Sequence, residues 1–440
     1  MSISLSSLDA TKRTSRAFAV AWACATIFYF LEYAGRSAPA VMIPELSHAF
    51  GVSALGLSSI LGVYYYTYSS ASLVAGVLLD RFGAKHVVPA GMIILGLGCL
   101  LFAVPSELVG TVGRLCQGAG SAFAFTGAVY LAAHGFSAQR LATAVGVTQC
   151  VGMLGGSLGQ LTVGPMIHSV LSVSGFWILL GALVIATGAA LVVLAPKEQG
   201  HAPETSGISG ILAPYKVVFS NPQSYLCGLA AGLLFAPTTI GDMVWGVRLF
   251  QEDRGFGYQS AVLAASMVPL GWVIGCPLLG WIADALKRRK PALIGGAALM
   301  LVCGIQLSFA PALVPAWLTL LVLGIASGAA MIPYTIIKEV NPDHVKGSAT
   351  GGINFITFLV TAVLGPVFAF SIGKSLGLTG TDVVAHFRDS GLFWVGTIAL
   401  ALLVSLMLGE TGHAVKNSPV HWQAAQDLAE TAAVSTTAGK

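Results

Sequence analysis

The chain has 440 residues, of which 55% are hydrophobic and only 9% are charged. A soluble domain carries about 25% charged residues, so this composition excludes a protein surrounded by water and makes lipid the solvent for much of the chain. The net charge of +4 at pH 7 is too small to indicate a nucleic-acid partner. Seven cysteines lie in apolar stretches without metal-ligand or disulfide spacing, so we interpret them as small core residues and expect neither a metal nor a cofactor.

A helix that crosses a bilayer needs about 20 mostly apolar residues. On that rule the sequence predicts an all-α integral membrane protein with twelve transmembrane helices. The first apolar run is too long for a signal-peptide core and is expected to remain as a membrane anchor. The predicted spans lie near residues 17–43, 54–79, 86–104, 108–134, 140–167, 174–195, 223–249, 258–283, 291–309, 313–337, 347–373 and 389–408.

The spans form two sets of six on either side of a polar stretch. The later part of that stretch, "ILAPYKVVF", is expected to form a short amphipathic segment along the membrane surface. The predicted organisation is a cytoplasmic N-terminus at 1–16, a first six-helix bundle at 17–195, a cytoplasmic linker at 196–222, a second six-helix bundle at 223–408 and a disordered cytoplasmic tail at 409–440.

The distribution of Lys and Arg predicts the orientation, because these residues are retained on the cytoplasmic side of a membrane. With the N-terminus inside, sixteen of the 22 fall in cytoplasmic segments, four fall outside, and Arg36 and Arg114 lie within spans. We therefore predict a multi-pass protein of the bacterial inner membrane with both termini in the cytoplasm.

The two halves of the chain resemble each other. "AGVLLDRFGAK" at 75–85 corresponds to "LGWIADALKRR" at 279–289, and "QRLATAVGVT" at 139–148 corresponds to "VKGSATGGIN" at 345–354. Because each half has six spans, the halves share one orientation and form a parallel repeat related by an axis along the membrane normal. Repeats of this kind place a binding site between the halves, near the middle of the membrane.

The stretch between the second and third spans resembles the G-x-L-x-D-R-x-G-x-K/R motif of transporters of the major facilitator superfamily. The resemblance covers essentially residues 17–408. It implies two pseudo-symmetric six-helix bundles that move by alternating access, with the motif and its second copy acting as a latch. In that copy Leu286 and Lys287 leave the second glycine without a clear counterpart. The latch residues that the resemblance implies are Gly76, Asp80, Arg81, Gly83 and Lys85 in the first half, and Gly280, Asp284 and Arg288 in the second.

The fourth predicted span contains "GRLCQGAG", which is similar to the family's R-x-x-Q-G-x-G motif through Arg114, Gln117, Gly118 and Gly120. That motif is typical of proton-coupled branches, in which its arginine faces the central cavity. The fifth span is rich in glycine but lacks the mid-helix Gly-Pro of the antiporter motif, which argues against a drug/proton exchanger. Ser157, in "GGSLG", lies in an apolar helical run rather than the strand-turn-helix of a hydrolase, so we expect no enzyme.

Four ionisable residues fall within predicted spans: Glu32, Arg36, Arg114 and Asp242. A charge at the bilayer centre costs about 2.5–3.5 kcal/mol on insertion scales, so each is a functional hypothesis. The helical rise of about 1.5 Å per residue places all four in the outer half of the membrane. Two interpretations remain open. Glu32 with Arg36, and Arg114 with Asp242, neutralise each other as architecture; or the four charges hold a solute and a coupling proton.

In the functional interpretation the two arginines bind a carboxylate, since a guanidinium binds it bidentately. Glu32 or Asp242 then holds a substrate amine or carries the coupling proton. Polar neighbours complete the predicted site. The full set of substrate-binding candidates is Glu32, Arg36, Tyr64, Tyr68, Arg114, Gln117, Asp242, Tyr334 and Asn354.

The sequence therefore predicts a monomeric secondary transporter, coupled to protons, that moves a small polar organic solute across the bilayer. Its motifs look most like those of bacterial carriers loosely similar to the lysosomal dipeptide transporter, which orders the solutes as amino acid, short peptide or carboxylate. One alternative is an exporter of drugs or metabolites, which would have a more apolar, aromatic cavity. Another is a membrane sensor on the same fold, which would need a signalling domain that the tail after Glu410 is too short to supply.

Overall fold

A computed structural model describes residues 5–136, 138–196, 208–342, 345–375 and 386–412, and those residues are helical apart from turns and short connections. The N-terminal residues before 5 and the predicted tail from 413 onward lie outside them. The α-helices in chain order are α1 (Leu5–Ser37), α2 (Ile43–Phe50), α3 (Ala54–Phe82), α4 (Ala84–Phe102), α5 (Glu107–Gly135), α6 (Ala138–Ser169), α7 (Val173–Leu194), α8 (Ile208–Ser220), α9 (Pro222–Ala236), α10 (Gly246–Arg254), α11 (Tyr258–Ala285), α12 (Lys290–Phe309), α13 (Ala316–Ser327), α14 (Ile332–Glu339), α15 (Lys346–Ser375) and α16 (His386–Met407).

The helices of the described residues are consistent with the predicted twelve membrane-spanning helices, although hydropathy identifies fewer. Ten helical segments in the described part of the chain are long and apolar enough to cross a membrane, and the bent pair α2 and α3 makes an eleventh. The twelfth is α5, which has 29 residues and is therefore long enough to cross. Its mean hydropathy is low because the arginine, glutamine and glycines of its motif lie on a buried face of the helix.

Three predicted spans are less regular than continuous helices. The first ends as an α-helix at Ser37 and continues as a 3₁₀ turn, Ala38–Val41. The seventh is interrupted by a π-helical turn, Pro237–Asp242, and the tenth by a 3₁₀ turn, Gly328–Met331. Such breaks in a membrane helix are tolerated where protein surrounds them, and the residues of these breaks are mostly buried.

Two helix pairs join the halves. In one pair, Ser157 on α6 donates from Oγ to the carbonyl of Ser266 on α11 at 3.0 Å. In the other, Ser69 on α3 donates from Oγ to the carbonyl of Phe355 on α15 at 2.8 Å. Because the hydroxyls bond to backbone carbonyls, these helices approach closely without bulky side chains between them.

The two ends of the molecule are named here by what they carry. The linker face carries α8 and the turn between α3 and α4, and the distal face carries α2 and the turn between α10 and α11. On the distal face the hydroxyl of Tyr258 donates to the carbonyl of Val41 at 2.8 Å, which ties the second half to the end of the first span.

The predicted amphipathic segment of the linker is a helix, α8. Tyr215 on α8 is buried, and its hydroxyl donates to the carbonyl of Leu73 on α3 at 2.9 Å. A Cβ built on Gly351 of α15 would lie 2.8 Å from the same hydroxyl, so Tyr215 lies between the two halves. The linker helix is therefore packed against both bundles.

The turn after α3 and the turn after α11 each contain a residue with positive φ. Gly83 has φ +71°, and Lys287, its counterpart in the second half, has φ +52°. Among the described residues Lys287 is the one non-glycine residue with positive φ. A positive φ is thus retained where the glycine of the motif is not, at a cost that glycine avoids.

Candidate functional site

Glu32 and Arg36 form an ion pair in the interior of the first half. Both are 2% exposed, and Arg36 donates to Oε1 of Glu32 from Nη2 at 2.6 Å and from Nε at 2.9 Å. The i, i+4 spacing on α1 brings them together, as predicted. The pair is incompletely satisfied, because Oε2 of Glu32 and Nη1 of Arg36 have no hydrogen-bond partner. These two atoms can each receive a partner from a bound molecule.

Aromatic rings surround the guanidinium of Arg36. Its carbon lies 4.4 Å from the ring centroid of Tyr33, 4.8 Å from that of Tyr68 and 5.4 Å from that of Phe358. The hydroxyl of Tyr64 also donates to Glu32. Since Phe358 lies on α15, the wall around Arg36 is built from both halves. Cation–π contacts of this kind stabilise a buried guanidinium without neutralising it.

Arg114 lies beside the same tyrosine but has no acidic partner. Its guanidinium carbon is 4.8 Å from the ring centroid of Tyr64, compared with 5.3 Å for that of Arg36. Arg114 is 2% exposed, its Nη1 donates to Oε1 of Gln117 at 2.6 Å, and its Nε is unpaired. No carboxylate pairs with it in the part of the chain that the structure describes. The central cluster therefore contains one neutral ion pair and one uncompensated positive charge.

The glycines of the α5 motif set the position of Arg114. A Cβ on Gly118 would lie 2.1 Å from the carbonyl oxygen of Tyr64, and a Cβ on Gly120 would lie 2.4 Å from the backbone nitrogen of Leu95. Thr67 on α3 also donates from Oγ1 to the carbonyl of Leu115 on α5 at 2.8 Å. The motif thus packs α5 directly onto α3 and α4, which places its arginine against Tyr64.

Asp242 does not join this cluster. It is 6% exposed at the end of the π-helical turn, and its Oδ2 accepts from Nε2 of Gln160 on α6 at 3.5 Å. The interpretation in which Arg114 and Asp242 neutralise each other is therefore wrong, since Arg114 bonds to Gln117 instead. Similar depth along two helices did not imply proximity, because helices at the same depth can stand on different sides of a bundle.

The remaining predicted polar groups have definite partners. Tyr334 on α14 donates to Oδ1 of Asn354 on α15 at 2.6 Å, and both are buried. Asn354 precedes Phe358 by one helical turn, so it shares a face with the ring that contacts Arg36. Tyr64 and Tyr68 stack with their ring centroids 5.8 Å apart, as expected for an i, i+4 pair that faces inward together.

The predicted latch residues lie at the linker face. Lys85 donates from Nζ to the carbonyl of Ala195 at 2.6 Å, within the first half. Asp284 pairs with Arg289, which also donates from Nη2 to Glu339 at 2.9 Å. Burial lowers the pKa of Arg289, but hydrogen bonds to Glu339 and Asp284 outweigh that effect and raise it overall. In this conformation the described ion pairs of Asp284 stay within the second half.

In this conformation few atoms lie close to Gly76 and Gly280, the first glycines of the two motif copies. A Cβ on Gly76 would lie 3.7 Å from the hydroxyl of Tyr215, and one on Gly280 would meet nothing within 4 Å. Arg81 and Arg288 lie beside these helix ends, and the side chain of Asp80 is outside the described set. A role for this group as a latch between the halves stays a prediction.

Three residues near the predicted charges were not predicted from the sequence. Tyr33 lies between the two charges on α1 and is three residues from Arg36, so helical spacing would have found it. Gln160 is a glutamine within an apolar helix, which is a signal of the same kind as a buried charge. Phe358 is an apolar residue in an apolar helix, and nothing in the sequence distinguishes it.

Comparison with known proteins agrees with this fold. The family model described as "Major Facilitator Superfamily" matches residues 25–366. The chain is 28% identical over 295 residues, 65% of this chain and 68% of the relative, to the chloramphenicol resistance protein CraA of Acinetobacter baumannii. It is 22% identical over 445 residues, 92% of this chain and 96% of the relative, to the probable galactarate/D-glucarate transporter GudP of Escherichia coli.

A solved structure has the same overall fold. A bacterial homologue of the human lysosomal transporter Spinster, in an inward-facing and unoccupied conformation, superimposes with a TM-score of 0.69 at 14% identity. The match covers 89% of this chain and 98% of the other. The matched family model, the two bundles and the relatives, which are named for transport or resistance and not for an enzymatic reaction, establish that the chain belongs to the Major Facilitator Superfamily of membrane transporters.

Proposed function

We propose that this transporter carries a small organic carboxylate, and that Arg114 binds the carboxylate group. The observation that supports this is the buried guanidinium of Arg114 without an acidic partner. A buried charge is costly unless it is paired, so the site favours an anionic ligand that completes it. With Glu32 and Arg36 neutral as a pair, the central cluster carries one net positive charge, which suits a monoanion.

The same geometry disfavours a substrate that carries an amine. An amino acid or peptide needs an acid near Arg114 to balance its ammonium group, but the charge of Glu32 is already balanced by Arg36, although its Oε2 is unpaired, and Asp242 lies elsewhere. We therefore rank carboxylates above amino acids and short peptides as substrates. Tyr33, Tyr68 and the other rings around Arg36 favour a planar or aromatic body for the substrate.

Proton coupling is the second part of the proposal. Glu32 and Asp242 are the two buried carboxylates available to carry the proton. Asp242 is the stronger candidate, since no cation among the described side chains pairs with it, whereas Glu32 is ion-paired with Arg36. The linker face, where the predicted cytoplasmic Lys and Arg lie, is taken as the cytoplasmic side, and the distal face as the outer side.

Export of neutral aromatic compounds is a second candidate. The aromatic wall around Arg36 is the feature expected of such an exporter, and CraA, one of the relatives, is named for resistance to chloramphenicol. The absence of the antiporter motif from the fifth span argues against it. The two candidates differ in whether the ligand must be charged.

A matched ligand series separates them. Thermal unfolding of the purified protein is measured with aromatic and aliphatic monocarboxylates and with the corresponding primary amides, and uptake into proteoliposomes is measured with and without a pH gradient. We expect the acids to raise the melting temperature and the amides to leave it unchanged, and uptake of the acids to be faster with protons outside. Equal stabilisation by acids and amides would contradict the carboxylate proposal and support the exporter.

A further inference from the structure

Asp242 lies on the wall of a cavity inside the second bundle, away from the central cluster. The cavity has a volume of about 80 Å³ and is lined by residues of α10, α11, α12, α13 and α16 together with the π-helical turn. Asp242 is the one ionisable residue among its lining residues. A water molecule needs roughly 10–15 Å³ of such volume, so the cavity has room for several.

The polar groups at this cavity are incompletely paired. Nε1 of Trp394, on the cavity wall, and Oε1 of Gln160, whose amide bonds to Asp242, have no hydrogen-bond partner, although Gln160 is fully buried and Trp394 is 9% exposed. Ser308 and Ser390 also line the wall. Buried polar atoms without partners are uncommon in proteins, and one of these two lies on the wall that carries the carboxylate while the other belongs to the amide bonded to it. The cavity therefore offers water or hydronium several hydrogen-bonding groups close to Asp242.

A second cavity adjoins the first on its distal side. It has a volume of about 360 Å³ and is lined by residues of the turn after α10 and of the loop between α12 and α13. Phe250 and Leu307 line both cavities, so the two cavities adjoin at these side chains. Arg254 lies in the outer cavity and donates from Nη2 to the carbonyl of Leu307 at 2.6 Å.

Few charged groups face Asp242 from the elements packed around it. On α6 the facing group is Gln160, and on α16 the indole of Trp394 borders the preceding residue, Gly241. On α10, Arg248 pairs with Glu252, and Arg254 belongs to the outer cavity. The described side chains of α11 and α15 place no charge on this cavity. The protonation of Asp242 is therefore governed by burial and by Gln160 rather than by an ion pair.

Gln160 is a partner that can respond to both states of the carboxyl. Its amide donates from Nε2 to ionised Asp242, and its unpaired Oε1 can accept from the protonated acid after the amide turns over. Gln160 belongs to the first half and Asp242 to the second. A change in protonation therefore changes one of the hydrogen bonds between the two halves, and contacts between the halves break and reform during rocking.

We propose that Asp242 takes up a proton from the distal side through the second bundle, by a route separate from the central site, and that Gln160 transmits its protonation to the first bundle. This deepens the proposed function by assigning the coupling proton its own entrance. The proton and the carboxylate then do not compete for one passage. When the central site is closed toward the distal face, Asp242 is then still able to exchange protons with the outer solution.

Thiol accessibility tests the route without a known substrate. All seven cysteines are replaced by alanine, and Asp242→Cys is introduced. Silver ion, which is small and does not cross the membrane, is added in nitrate buffer to intact cells or to inverted vesicles, and the remaining thiols are labelled with a fluorescent maleimide after denaturation. We expect rapid protection from the distal side and at least tenfold slower protection from the linker side.

Two plugging variants and a control complete the test. Leu307→Trp at the junction of the cavities is expected to slow protection at least tenfold, and Gly304→Val, where a Cβ would meet Val395 at 3.3 Å, serves if the larger residue prevents folding. Leu234→Cys, fully buried on α9 and outside the cavity, is expected to stay unprotected from either side. Protection of position 242 that neither plug slows, or that is faster from the linker side, overturns the proposed route.

The role of Gln160 is tested by the ratio of proton-driven uptake to substrate counterflow. In Gln160→Leu, proton-driven uptake relative to substrate counterflow is expected to fall about tenfold, whereas Gln306→Leu, a glutamine on α12 bonded to the carbonyl of Ala310, keeps the ratio. An unchanged ratio in Gln160→Leu overturns its transmitting role. Silver protection with no transport of any carboxylate would leave the route standing and refute the proposed function.

Discussion

Arg114 and Gln117 form a hydrogen bond within one turn of α5, with 2.6 Å between Nη1 of the arginine and Oε1 of the amide, and both side chains are 2% exposed. A neutral amide orients the guanidinium but does not neutralise it. The bond leaves Nε of Arg114 unpaired and its charge uncompensated, in contact with the ring of Tyr64. Arg114 is thus held ready for an anion, whereas Arg36 already has one.

Replacing Arg114 should affect binding far more than folding. In Arg114→Gln we expect the Kd of a carboxylate substrate to rise about a hundredfold, because a charge-assisted hydrogen bond is worth about 1.5–3 kcal/mol. Thermal stability should stay equal or rise, since a buried unpaired charge is removed. Isothermal titration and thermal unfolding measure the two effects. Arg248→Gln, at the distal face, is the matched control and should bind normally; normal binding by Arg114→Gln would remove this residue from the site.

Replacing Arg36 should instead affect folding. Arg36→Ala leaves Glu32 buried without its cation, and breaking a buried pair on one side costs about 3–5 kcal/mol. The double variant Glu32→Leu with Arg36→Met removes both charges at similar volume and should recover most of that loss. Unfolding of the single and double variants in detergent forms a mutant cycle. A fully stable Arg36→Ala protein would show that the pair is not structural.

The close approach of α5 to α3 can be tested at Gly118. A methyl group there would lie 2.1 Å from the carbonyl oxygen of Tyr64, so Gly118→Ala must move α5 away. We expect a loss of about 1–3 kcal/mol of stability from overpacking, together with weaker carboxylate binding because Arg114 moves with the helix. Gly62→Ala on α3, where a Cβ meets nothing within 4 Å, is the control and should be neutral or slightly stabilising. Equal melting temperatures for the two variants would contradict the packing argument.

The turn at Lys287 offers a stabilising substitution. Positive φ costs an L-residue about 1–2 kcal/mol, which glycine does not pay, so Lys287→Gly should gain about 1 kcal/mol after its extra chain entropy is deducted. Lys287→Ala removes the charge but keeps the backbone conformation, and should not gain. Melting temperatures of both variants decide the matter, and a gain in the alanine variant alone would point to the charge instead.

Much of this architecture follows from local pattern. The sequence predicted twelve spans from apolar runs of membrane length, because backbone groups in a bilayer must be hydrogen-bonded internally, as they are in helices. The equal number of spans in each half and the repeated motif predicted two bundles with the same orientation. The pairing of Glu32 with Arg36 followed likewise from i, i+4 spacing on one helix. The breaks at Pro237–Asp242 and Gly328–Met331 were missed, because apolar composition does not register a change of helical type.

The arrangement of the charges needed contacts between distant segments. Depth along a helix is a property of the sequence, but the direction in which a side chain faces depends on how the helices pack around it. That packing brought Arg114 to Tyr64 through Gly118, and it turned Asp242 away to Gln160 and to a cavity of its own. The four charges predicted at one depth are therefore a central cluster of Glu32, Arg36 and Arg114 and a separate carboxyl, since lateral position in a bundle is decided by the neighbours that each helix face meets.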